Sequence, residues 1–187
     1  MTRIPDSPVP SRHRGSTTVL TALALALCLG APVAHADSCP WMPDSRIDAA
    51  FPDRAPWSVM AGGQGRCKWT SDSSKASSTI SLTQMIETSP AEAEKYVTTV
   101  GGGMAKGGYA VTPLPSIGKA GVAVRQNEPD SRMLTLIGHQ KNNVVMTQMS
   151  FWKGVDAAQQ AVAEKLTLET LAADTGGGLV MPKPKPK

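Results

Sequence analysis

The sequence predicts an α+β domain, a mainly antiparallel sheet packed by helices and braced by one disulfide. Three observations predict it. Strand-length segments of alternating apolar and polar residues are joined by hairpin-length connections, which favours antiparallel pairing. Long helices, announced by cap residues at Ser89 and Asp156, stand at intervals between them. An even pair of cysteines remains once an N-terminal leader is set aside.

The leader is residues 1–36. Arg3, Arg12, His13 and Arg14 form a basic stretch, and Val19 to Leu29 is apolar but too short to cross a bilayer permanently. Pro32 then breaks the helix, and Ala34-His35-Ala36 offers the small-x-small site for signal peptidase. Leu27 precedes Cys28, where lipid attachment needs a small residue. The expectation is an exported chain, periplasmic or extracellular, with no transmembrane segment after cleavage before Asp37.

The 187-residue chain carries a formal charge of +4. Much of that excess sits in the leader and in Lys183, Lys185 and Lys187 at the end, leaving the domain near neutrality. No basic stripe of the kind nucleic acid requires runs through it. Cys39 and Cys67 are the cysteines left after the leader. In an oxidising compartment they form one disulfide, closing a loop of roughly 30 residues and adding about 3 kcal/mol in the chain-entropy model. They lack the two-residue separation of a redox pair and the extra ligands of a zinc site.

A short helix is expected from Pro43 to Phe51, with Ile47, Ala50 and Phe51 on one side and Pro52 and Pro56 ending it. Ala61 to Gly65 reads as a turn. The strand Arg66 to Thr70 follows, with Cys67 and Trp69 facing one way and Arg66, Lys68 and Thr70 the other. After a polar loop, Thr79 to Ile86 is a strand with Ile80, Leu82 and Ile86 inward and Thr79, Ser81 and Thr83 outward. Ser89-Pro90-Ala91-Glu92 starts a helix whose apolar stripe is Ala93, Tyr96, Val97, Val100 and Met104. Gly101, Gly102 and Gly103 should fray it, and Gly107-Gly108 should end it. Strands are then expected at Tyr109 to Thr112, Gly121 to Gln126, Met133 to Gln140 and Val144 to Trp152, the last two a hairpin around Lys141-Asn142-Asn143. Asp156 and Gln159 start a final helix, to about Ala173, with Ala158, Val162, Leu166 and Leu168 or Leu171 buried. The domain spans 37–178, and 179–187 is a disordered Pro/Lys tail.

This order, with the Cys67-x-Trp69 strand and the Leu114-Pro115-Ser116-Ile117-Gly118-Lys119-Ala120 turn, resembles small exported actinobacterial lipoproteins of uncharacterised function. Their fold is similar to PsbP-like α/β/α sandwiches. The resemblance covers about residues 39 to 172 and implies a non-catalytic envelope module with no catalytic residues to carry over. The chain departs from the family in lacking a lipid-attachment cysteine.

Catalytic motifs are sparse. His139 is the sole histidine after the leader, and no Gly-x-Ser-x-Gly elbow accompanies it. Glu92 is explained by capping, Glu94 by a solvated helix face, and Glu128 and Asp130 by a turn. Gly118-Lys119 is followed by alanine where a P-loop needs Ser or Thr, and the glycines at 101–103 lie at the wrong end of a helix to hold phosphate. Two binding sets remain. Met133, Met146 and Met149 with His139 are candidate soft ligands for copper, although Met146 and Met149, three apart, face opposite sides of a strand. Trp41, Trp57, Trp69 and Trp152 are candidates for a partner surface or a core corner. The chain is thus expected to be a non-enzymatic binding or accessory module of the cell envelope, requiring no cofactor, with a protein or envelope component as partner. A copper-binding protein and a small secreted hydrolase are the alternatives.

Overall fold

The computed structural model describes residues 39, 42–63, 65–71, 78–126, 132–173 and 179–180. The expected leader, Trp41, the Glu128 turn and the lysines of the tail lie outside the described residues. In chain order the elements are α1 (Asp44–Ala50), β1 (Trp57–Gly63), β2 (Arg66–Ser71), β3 (Ser78–Ile86), α2 (Pro90–Lys106), β4 (Ala110–Pro113), β5 (Val122–Arg125), β6 (Met133–Gln140), β7 (Asn143–Ser150), α3 (Ala157–Ala172) and β8 (Leu179–Val180). The sheet runs β1-β2-β3-β7-β6-β5-β4 with every neighbouring pair antiparallel.

Helices cover both faces. On one side α1 and α3 meet the sheet through Ile47, Phe51, Leu166 and Ala163 against Trp69, Ile80, Leu82, Leu136 and Met149. On the other, α2 lays Ala93 and Val97 against Ile137, Val144 and Met85. Strand periodicity sorts these residues, because neighbours in a strand alternate between the two cores. The result is an α+β domain with an antiparallel sheet packed by helices, as the sequence predicts.

The Cys39–Cys67 disulfide is formed and closes 28 residues. It ties the chain before α1 to β2, and the corner beside it is densely cross-connected. The Trp69 indole N–H donates to Asp44 Oδ1 (2.8 Å), the Trp57 amide donates to Asp48 Oδ1 (2.8 Å), and the Trp57 indole reaches the Phe51 carbonyl (3.3 Å). Arg46 on α1 clasps Glu169 on α3 through both Nε and Nη2, at 2.6–2.9 Å.

Several local expectations are corrected. Trp57–Gly63 is a strand, so Ala61, Gly62 and Gly63 belong to β1 and not to the expected turn; its alternation is hidden by a bulge between Val59 and Ala61, which resets the pairing with β2. Helix α2 runs unbroken through its three glycines to Lys106. Gly101 is buried against the sheet, where a Cβ would meet Val122 at 3.5 Å in ordinary van der Waals contact. Ser89 Oγ accepts the Glu92 amide, but the Glu92 carboxylate pairs with Lys95 rather than completing a capping box. In β3 the inward position is taken by Gln84, fully buried, and Ile86 is only half-buried. The β6–β7 turn is two residues, with Lys141 at φ 53°, in the left-handed region that side chains disfavour. The domain also continues past Gly178, since Leu179–Val180 pair in parallel with Met85–Ile86. They take the edge of β3 that β2 leaves free beyond Thr83.

Helix α3 starts with the full capping box, Asp156 accepting the Gln159 amide at 2.8 Å and Gln159 Oε1 accepting the Asp156 amide at 3.1 Å. Its buried side is Ala163, Leu166, Thr167, Thr170 and Leu171, while Ala158 and Leu168 are exposed. The two threonines enter the core because their hydroxyls return to the carbonyls of Ala163 and Leu166, and Thr167 also meets Thr147 at 2.7 Å. Removing the cap by Asp156→Ala should cost about 1 kcal/mol, read as a fall of roughly 2–4 °C in thermal midpoint. A midpoint unchanged by the substitution would show that tertiary packing alone holds the start of α3.

Candidate functional site

The candidate copper ligands do not converge. Met149 is fully buried in the α1/α3 core, opposite Leu134. Met146 packs on the α2 side opposite Ile137, and Met133 lies opposite Ser150. Met133 and Met146 therefore stand four strand positions apart, about 13 Å along the sheet. Gln148 Nε2 donates to Met133 Sδ at 3.0 Å. No group of three or more His, Cys, Asp or Glu side chains poised for a metal occurs among the described residues.

His139 has a different task. Its Nε2 accepts the backbone N–H of Ala120 at 3.3 Å, and its Nδ1 is buried without a partner among the described residues. This bond fastens the Leu114–Gly121 loop to β6. The glycines of the loop and strand permit the approach, since a Cβ on Gly118 would run into the His139 carbonyl and one on Gly138 would lie 2.5 Å from the Ile117 carbonyl. Lys119 leaves the loop to meet Glu94 of α2 at 3.1 Å. The Gly-Lys pair is thus a loop anchor and a surface ion pair. Burial, and then the neighbouring Glu87 carboxylate, push the Tyr96 hydroxyl above its ordinary range.

The tryptophans divide. Trp57 is 2% exposed and Trp69 0%, so both belong to the core corner and not to a partner surface. Trp152 is 55% exposed, and the Arg132 guanidinium carbon stands 4.1 Å from its ring centroid. That stack fixes the indole plane just beyond the end of β7.

Sequence reasoning did not single out the surface that the topology leaves open. Helix α2 packs on β4, β5, β6 and the adjoining part of β7, and its core reaches β3 only at Met85. Over the same face of β1, β2 and the rest of β3, no helix lies among the described residues. The register aligns the outward residues of these strands into rows. Ser58, Thr70, Thr79 and Ser150 form one, Lys68, Ser81 and Gln148 the next, and Arg66 and Thr83 a third. At about 4.8 Å per strand step, the first row extends for roughly 14 Å. Thr70 Oγ1 reaches the Ser78 carbonyl at 3.4 Å. Arg66 and Lys68 have no ion pair or side-chain hydrogen bond among the described residues.

Chemically this face offers two unpaired cations and an array of hydroxyls on a rigid plane. Cross-strand neighbours of opposite charge would ordinarily compensate such cations. Here their β3 neighbours are Thr83 and Ser81, which can donate to the same acceptor as the cation beside them. No helix among the described residues is long and apolar enough to cross a membrane. No family model, no curated protein and no solved structure matches the chain.

Proposed function

We propose that the chain is an exported, non-enzymatic binding module of the cell envelope whose working surface is the uncovered half of its sheet. The observation that carries this reading is the pair Arg66 and Lys68, which among the described residues have no ion-pair partner and stand among hydroxyls on a plane that no described helix covers. A purely structural strand exposing two adjacent cations would gain by placing an acid across from at least one of them. The disulfide supports an oxidising compartment, and the apolar, basic-flanked N-terminus supports export into it. The kinship with PsbP-like envelope lipoproteins belongs to the same proposal, and helices on both faces of the sheet are what such a sandwich would have.

A photo-reactive benzophenone side chain tests the surface directly. Placed at Ser81, it should form adducts with an envelope component in exporting cells; placed at Lys165, exposed on α3, it should form none. Equal yields from the two positions, or none from Ser81, would overturn the assignment of the binding surface.

A further inference from the structure

Resting on that reading, we infer that the open half of the sheet binds an acidic glycan, a polymer of sugars bearing carboxylate or phosphate groups. The charge comes first. Arg66 and Lys68 are two positions apart on one strand, about 7 Å, with outward side chains on the same face and no acidic residue in the rows beside them among the described residues. Their mutual repulsion is relieved by an anion lying between or across them, and a guanidinium fork engages carboxylate and phosphate oxygens in pairs.

The hydroxyls decide what carries the anion. Each cation has a hydroxyl directly across the strand pair, Thr83 beside Arg66 and Ser81 beside Lys68, and the row through Ser81 continues to the exposed amide of Gln148. Such a plane supplies donors and acceptors at strand spacing, matching a chain that itself presents hydroxyls along its length. A protein partner would call for a desolvated apolar centre, and a membrane surface for apolar side chains to insert beside the basic ones. Among the described residues the large exposed hydrophobics of this region are Met60, at the β1 bulge, and Trp152, just past β7 and three strand steps away, so they form no continuous apolar centre. At the Ser150 end of β7, Trp152 adds a stiff aromatic plate, one side of it occupied by Arg132, suited to the C–H face of a sugar ring.

Affinity electrophoresis through gels containing alginate, a polyuronate, tests the inference with the oxidised protein at low salt. The expected result is retardation that neutral dextran does not produce. Arg66→Gln/Lys68→Gln should weaken it more than about tenfold, as two charge-assisted contacts are lost. Thr83→Val/Ser81→Ala, which keeps both charges, should weaken it about threefold or more. A Lys183→Gln/Lys185→Gln/Lys187→Gln variant should remain retarded, because the terminal lysines are not the site. Thermal midpoints of all variants check that the fold survives these surface changes.

Loss of retardation in the tail variant, or its persistence in Arg66→Gln/Lys68→Gln, would overturn the inference. So would binding to vesicles of phosphatidylglycerol and phosphatidylcholine without binding to alginate. Failure on alginate with Ser81 photo-adducts intact would reject the glycan and leave the binding surface standing. Failure of both would reject the surface itself.

Discussion

Trp69→Ala should lower the thermal midpoint by roughly 6–20 °C, the equivalent of about 3–5 kcal/mol for an emptied aromatic site in a domain of this size. Trp69 is 0% exposed and lies two residues from the disulfide, between β2 and α1. Truncation removes the largest fully buried side chain among the described residues and takes from Asp44 the indole donor that it accepts at 2.8 Å. The disulfide makes the loss harder to absorb, because it prevents the segment before α1 from moving away and β2 from closing the gap. Trp69→Phe separates the two contributions: it keeps much of the volume and should cost less, the part owed to the hydrogen bond being about 1 kcal/mol. Thermal unfolding of the oxidised protein, followed by near-ultraviolet circular dichroism, reads both. If Trp69→Ala cost no more than the cap substitution Asp156→Ala, the ring would not be part of the packed corner.

Gly138→Ala should cost about 3 kcal/mol or prevent folding, although it adds a single methyl group. That methyl would stand 2.5 Å from the Ile117 carbonyl oxygen and 2.9 Å from Ile117 Cβ. Neither is the end of a flexible side chain, so the loop must lift from β6, exposing Ile117 and stretching the Ala120–His139 hydrogen bond. Gly102→Ala and Gly103→Ala make the matched control. A Cβ at either finds nothing within 4 Å, and each sits inside α2, so each should stabilise the protein by about 0.5–1 kcal/mol. Urea unfolding of the three variants distinguishes the roles, and a Gly138→Ala protein as stable as the parent would mean that the loop yields freely.

The contrast between those glycines marks where the sequence was legible. Gly102 and Gly103 read as helix weaknesses, and so they are, yet the helix persists because Ala93, Val97 and Gly101 are held by the sheet. The penalty was legible; the long-range packing that overrides it was not. Caps written in adjacent residues, Ser89 and Asp156, were read directly, as was the disulfide. β1 was missed because its bulge interrupts the alternation and its glycines mimic a turn. β8 was missed because two residues carry no periodicity at all. Of the candidate site, the outward direction of Arg66, Lys68, Thr70, Thr79, Ser81 and Thr83 followed from strand period alone. That α2 would shelter β4 to β6 and leave these residues uncovered depends on strand order, which no local pattern encodes. The same period placed Met146 and Met149 on opposite faces, and only the register put Met133 so far from Met146.

The fastening at the two ends of the domain has a mechanical consequence. A pull applied at Cys39 bypasses α1 and β1, passing through the sulfur bridge straight into β2. A pull applied at Val180 enters β3 through two residues of parallel pairing. Tension between these points therefore loads neighbouring strands, and the weakest link in that line is β8. Its two pairs would separate before the six-residue β2–β3 ladder, so the sheet from β2 onward would keep its shape.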